Sequence, residues 1–152
     1  MPDWRELYQE LILDHNRRPR NFRRPAAANR EAQGFNSLCG DRLVLYLQLR
    51  DGVIDDIGFQ GAGCAISTAS ASLLTERLKG KTAAEAEALF RRMHALLTGV
   101  PEPEDPAQPE LGKLQALAGV AEFPTRVKCA TLAWHTLHAA LAGGQALVST
   151  EE

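Results

Sequence analysis

Much that would assign this protein quickly is missing from its sequence. Lysine and arginine total 17 against 19 aspartates and glutamates, a formal net charge of −2. The basic footprint of a nucleic-acid binder is therefore absent. No apolar run is long enough to cross a bilayer, and Met1-Pro2-Asp3-Trp4 does not open a signal peptide. These absences point to a cytoplasmic protein with neither nucleic-acid nor membrane partners. Cysteine is scarce, at 3 in 152 residues. An odd count without a secretory signal argues against a disulfide framework and leaves metal ligation, catalysis or simple burial. There are no close Cys-x-x-Cys pairs, no HExxH, and no evident Ser-His-Asp arrangement. Gly80-Lys81-Thr82 imitates the end of a phosphate-binding loop, but Thr75 stands where that motif needs glycine. The stretch also follows a predicted helix rather than a strand.

What is present suffices for a core. Hydrophobic residues make up 45% of the chain, and the length suits a single domain over residues 1–152. Trp4, Leu7, Tyr8, Leu11 and Ile12 recur at helical spacing and predict a helix from Trp4 to about Arg17, with Asp3 as its cap. The following segment, Asn16 to Pro25, holds five arginines and two prolines. It reads as a solvated loop or as a docking patch for an acidic partner.

Arg30 to Leu38 is weakly patterned and suggests a first, edge strand. In Asp41 to Arg50, Leu43, Leu45, Leu47 and Leu49 alternate with Val44, Tyr46 and Gln48, which is strand periodicity. Asp51-Gly52 is a tight-turn dipeptide, and Val53 to Gln60 returns as the partner strand. The leucine face must be covered by helices. Those helices are predicted from Ala65 to Lys79, from Thr82 (with Glu85 completing a capping box) to about Leu97, and from a Thr125 cap to about Ala142. A short helix from Pro109 to Leu117 is also expected, after an acidic, proline-punctuated loop over Val100 to Pro109.

The hairpin has a chemical consequence. Cys39-Gly40-Asp41 lies at the outer end of its first strand, and Gly61-Ala62-Gly63-Cys64 just past the end of its second. A tight turn brings those ends together. Cys64 then sits at a helix N-terminus, where the helix dipole favours a thiolate, and Cys129 is expected in the first turn of the last helix. His135 and His138 lie six and nine positions past Cys129, turned from it by roughly 240° and 180° on a helix. His15 and His94 have no metal-type partner nearby in sequence. Asp41 is the best fourth donor beside three thiols, a set suited to zinc or an iron–sulfur cluster rather than magnesium or calcium.

Four stretches carry a family resemblance: Tyr8-Gln9-Glu10-Leu11-Ile12-Leu13-Asp14-His15-Asn16-Arg17-Arg18-Pro19-Arg20-Asn21, Asn36-Ser37-Leu38-Cys39-Gly40-Asp41, Phe59-Gln60-Gly61-Ala62-Gly63-Cys64-Ala65-Ile66-Ser67, and Lys128-Cys129. Together they resemble the IscU/SufU-type proteins of iron–sulfur cluster assembly over nearly the whole chain. The resemblance implies an α+β fold, a small three-stranded antiparallel sheet covered by helices, of the SufE/IscU-like kind. It also implies Cys39, Asp41, Cys64 and Cys129 as metal ligands.

Within the family, the chain is more similar to the SufU branch. Lys128 stands where scaffold-type IscU proteins carry histidine, and Glu122 to Lys128 lacks their Leu-Pro-Pro-Val-Lys motif. The segment from about Gly99 to Phe123 resembles the SufU insertion, and Arg126-x-Lys128-Cys129 resembles the SufU ending. This likeness implies a zinc-dependent sulfurtransferase that accepts persulfide sulfur from a pyridoxal-phosphate-dependent, SufS-like cysteine desulfurase and serves downstream iron–sulfur assembly proteins. Cys39 would be the nucleophile, freed when a desulfurase histidine takes its place on zinc. Arg126 would stabilise developing sulfur charge, dock the partner, or form only a surface ion pair. The alternative is a scaffold for a [2Fe–2S] cluster on the same ligands.

Overall fold

The leucine alternation builds the centre of the molecule. A computed structural model describes residues 4–36, 40–99, 110–142 and 147–149. Its elements run α1 (Trp4–Arg17), β1 (Arg30–Asn36), β2 (Asp41–Arg50), β3 (Val53–Ala62), α2 (Ala65–Leu78), α3 (Ala83–Thr98), a 3₁₀ segment (Gly112–Glu122), α4 (Pro124–Leu141) and β4 (Leu147–Ser149). The architecture is α+β, as the resemblance implied. The expected positions of Asp3, Cys39 and the acidic loop over Val100 to Pro109 lie outside the described residues.

β2 and β3 pair antiparallel, with Leu45 opposite Phe59 and Leu47 opposite Ile57. All four side chains are buried. The two-residue turn takes positive φ at both Asp51 (53°) and Gly52 (78°). That pair of angles matches the right-handed strand twist, and Asp-Gly adopts it readily. The sheet order is β3-β2-β1-β4. β1 is therefore not an edge strand: it pairs antiparallel with β2 on one side and parallel with β4 on the other. β4 has only three residues, too few for a period-2 signal, which is why β1 read as an edge.

The arginine-rich loop covers the open edge of β3. The Phe59 N–H donates to Asn21 O at 3.0 Å, and Phe22 meets Phe59 edge-to-face at 5.2 Å. A Cβ on Gly58 would stand 2.2 Å from Arg23 O, so the loop backbone lies directly against the strand. Covering an edge this way satisfies backbone groups that would otherwise template aggregation. Arg23 makes a two-oxygen contact with Asp56, and Arg20 reaches Asp14 at 2.6 Å. Several of these arginines are thus engaged within the chain rather than simply solvated.

α4 lies across β1 and β2, α2 packs on α4, and α1 packs on α2. Gly34 lets α4 approach β1, since a Cβ there would stand 2.3 Å from Thr136 Oγ1. Buried His15 contacts Ser72 Oγ through Nδ1 at 2.6 Å, and the same oxygen accepts the Arg20 N–H at 2.8 Å. One hydroxyl on α2 thereby fixes the end of α1 and the loop that follows.

Two helix starts show how sequence and structure compare. Thr82 caps α3 with a full capping box, as expected. Thr125 does not cap α4: Phe123 holds the cap position without a side-chain bond, and Pro124 is the first helical residue. Proline suits that position because its φ is preset and the missing N–H would have had no partner. Cys129 consequently lies in the second turn of α4 rather than the first. Gly112–Glu122 forms 3₁₀ turns instead of a helix ending at Leu117, though Leu111, Leu114 and Leu117 are buried as their spacing suggested.

Candidate metal centre

Asp41 is the pivot of the site. It opens β2, and its carboxylate is fully buried. The β2–β3 register sets Arg42 opposite Ala62, so the chain past β3 turns over Asp41. The Cys64 N–H donates to Asp41 Oδ1 at 2.8 Å, and Cys64 Sγ stands 3.9 Å from Oδ2. Gly63 makes this approach possible: a Cβ there would lie 2.6 Å from Asp41 Oδ1. Gly61 is needed for a related reason, with φ of 153° and space for a Cβ only 2.1 Å from Arg42 O.

Cys64 is the N-cap of α2, and its Sγ accepts the Ser67 N–H at 3.4 Å. A backbone donor already points at the sulfur, which favours negative charge there. Cys129 arrives from α4, buried, with Sγ 3.7 Å from Thr125 O. Cys64 and Cys129 are not joined in a disulfide. One ligand atom each from Asp41, Cys64 and Cys129 lie within 4.8 Å of one another. On a tetrahedral zinc, with Zn–S of about 2.3 Å and Zn–O of about 2.1 Å, sulfur and oxygen stand about 3.6 Å apart. The Cys64–Asp41 separation of 3.9 Å is close to that. The donor set and its spacing fit a thiophilic metal.

Cys39, the fourth sequence candidate, lies outside the described residues. Gly40, which joins it to Asp41, takes a left-handed φ of 69° in a turn. Arg126 is exposed in the first turn of α4, its N–H bonded to Phe123 O at 2.9 Å. It lines a cavity of about 530 Å³ with Tyr8, Ile12, Ile66, Val120 and Phe123. None of the ion pairs among the described residues includes it. Neither His15, paired with Ser72, nor His138, paired with Glu87, belongs to the metal group.

The sequence reading missed Asn36. It sits directly opposite Asp41 in the β1–β2 register and is fully buried. Its Nδ2 is 3.4 Å from Asp41 Oδ2 and 3.6 Å from Cys129 Sγ. It thus spans two candidate ligands that arrive from different elements. Its Oδ1 is buried without a hydrogen-bond partner among the described residues. Asn36 begins the Asn-Ser-Leu-Cys-Gly-Asp stretch, but only the pairing of β1 with β2 reveals where its amide points.

The NifU-like N-terminal domain family matches residues 7–130. The chain belongs to this family of IscU and SufU proteins. It is 42% identical over 135 residues to the iron–sulfur cluster assembly scaffold protein IscU of Streptococcus pyogenes, covering 89% of this chain and 82% of that one. It is 38% identical over 138 residues to the zinc-dependent sulfurtransferase SufU of Bacillus subtilis, covering 90% of each. The crystal structure of a SufU protein from Fervidobacterium islandicum AW-1, described as a scaffold for the SUF system, superposes with a TM-score of 0.76. That match has 32% identity and covers 91% of this chain and 99% of that one.

Proposed function

We propose that this protein is a zinc-dependent sulfur acceptor that takes persulfide sulfur from a pyridoxal-phosphate-dependent cysteine desulfurase for iron–sulfur cluster biogenesis. The observation that carries the reading is the meeting of Asp41, Cys64 and Cys129 within 4.8 Å, one glycine away in sequence from Cys39. Bound zinc would keep cysteine sulfur as thiolate at neutral pH. Asp41, Cys64 and Cys129 would hold the ion, with Cys39 as the exchangeable fourth ligand. Released Cys39 thiolate attacks the outer sulfur of the donor persulfide. A new S–S bond forms on Cys39, the donor S–S bond breaks, and the electron pair leaves with the donor cysteine as thiolate. No external oxidant or reductant is required. Asn36 orients Asp41 and Cys129, and Arg126 at the cavity rim meets the incoming partner.

The test is persulfide mapping during desulfurase turnover. Cys39→Ala should fold and retain zinc yet carry no sulfane sulfur. Sulfur acceptance undiminished in that variant would overturn the reading.

A second reading, a scaffold for a [2Fe–2S] cluster on the same residues, is favoured by the identity to the Streptococcus pyogenes scaffold. Lys128 beside Cys129, in place of the scaffold branch's histidine, favours zinc. Protein purified without oxygen should hold about one zinc per chain and show no iron-linked visible absorption. Stoichiometric iron and sulfide would transfer the assignment to the scaffold.

A further inference from the structure

Three of the four histidines gather at one place between α3 and α4: His94 from α3, and His135 and His138 from α4. His94 and His135 meet across the two helices with ring centroids 5.5 Å apart and planes at 78°. Phe90 is their common floor, 5.5 Å from His135 and 6.1 Å from His94. His138 stacks on the same ring at 4.9 Å. Its Nδ1 is held by both oxygens of Glu87, at 3.0 and 2.9 Å. His94 and His135 are half-buried, with a solvent-facing side, and His138 is exposed.

We propose that His94 and His135 bind a divalent cation of the late first transition row, such as zinc or nickel, at a second site bridging α3 and α4. Imidazole nitrogen is the natural donor for these ions. With metal–nitrogen bonds of about 2.0–2.1 Å and near-tetrahedral angles, two imidazole centroids on one ion stand about 5–6 Å apart. The 5.5 Å centroid separation falls in that range. The Glu87 carboxylate adds negative charge close by and fixes the tautomer and ring of His138 beside the pair. Water fills the remaining positions, as in other open sites. Cys129 and His135 are six residues apart on α4, about 9 Å along its axis, so the two centres use separate donors. An ion here would clip α3 to α4 and stabilise the folded chain by mass action.

The test uses protein already carrying zinc at its thiol centre. Calorimetric titration with further zinc should show one additional, weaker equivalent per chain. That binding should weaken at least tenfold in His94→Gln and in His135→Gln, while zinc at the thiol centre is unchanged. In the unaltered protein, nickel should broaden the imidazole proton resonances of His94 and His135 and leave those of buried His15 sharp. No second equivalent, a second equivalent that survives both substitutions, or broadening confined to His138 would overturn the proposal. The resonance measurement needs no variant, so misfolding of a substituted chain cannot obscure the answer.

Discussion

Gly63 and Asp41 are in contact so close that a Cβ on the glycine would stand 2.6 Å from Asp41 Oδ1 and 3.2 Å from its Cβ and Cγ. The carboxylate fills the space that a side chain at residue 63 would need. This is what lets the Cys64 N–H hold Asp41 while Cys64 Sγ faces the same oxygen pair.

Gly63→Ala should therefore displace the Asp41 carboxylate. Zinc affinity is expected to fall about 10–100-fold, the range seen when the support of a metal ligand is lost. Competition with a chromophoric chelator measures it. Far-UV dichroism should be unchanged, because Gly63 precedes α2 and belongs to no element.

Asn36→Ala separates support of the metal from support of the fold. It removes the amide spanning Asp41 and Cys129, and zinc affinity should fall by about the same 10–100-fold. It also removes a buried carbonyl oxygen that has no hydrogen-bond partner among the described residues, a liability of roughly 1–3 kcal/mol. Metal-free stability should accordingly drop much less than for an ordinary buried truncation. Urea unfolding with and without zinc tells the two effects apart. A large loss in the metal-free protein would assign Asn36 to the fold instead.

Gly34→Ala tests the seating of α4. The new methyl group meets Thr136 Oγ1 at 2.3 Å and Leu132 Cδ1 at 3.0 Å. Thr136 is buried and bonded to Leu132 O at 2.7 Å, so it has little freedom to yield. Overpacking of this kind costs about 1–3 kcal/mol. Gly119→Ala is the control, since a Cβ there meets nothing within 4 Å, and it should change stability by no more than about 0.5 kcal/mol. Thermal or urea unfolding of the two variants gives the comparison. Because α4 carries Cys129, Gly34→Ala should weaken zinc binding as well.

His15 makes stability fall on the acid side. Burial first, and then the charge of Arg20, lower its pKa from the ordinary 6.5. The unfolded chain then takes up a proton that the folded chain resists. Stability is complete above about 6.5 and declines as the pH drops through that value toward the lower folded pKa. Urea midpoints of the wild type and His15→Gln, at about pH 7.5 and about pH 5.5, isolate this histidine from the proton linkage of metal binding. The wild type should lose more stability between the two pH values than the variant. Equal losses would place the acid sensitivity elsewhere.

Those features that depend on near neighbours were legible from residue order. Asp51-Gly52 dictates a two-residue turn, and the turn then sets the register that brings Asp41 to Cys64. Thr82 and Glu85 reach each other within one helical turn, and α3 starts where they predict. Cys64 follows two glycines and precedes an alanine-rich helix, so its place at the N-terminus of α2 was also local information. Where a local rule had competition, the reading slipped. Thr125 is a good cap in isolation, but Pro124 is a better first residue, and the two-residue difference puts Cys129 in the second turn instead of the first.

By itself, then, the sequence determined the hairpin, most of the helices, and the identity of the candidate donors, because each follows from contacts a few residues apart. Tertiary structure alone decided the rest. The packing of α4 on β1 and β2 carries Cys129 to Asp41, 88 positions earlier in the chain. The strand pairing turns Asn36 toward both. The contact of α3 with α4 sets His94 against His135. These relationships depend on which faces of distant elements bury together, a choice made by the whole core at once, and no local pattern of residues encodes it.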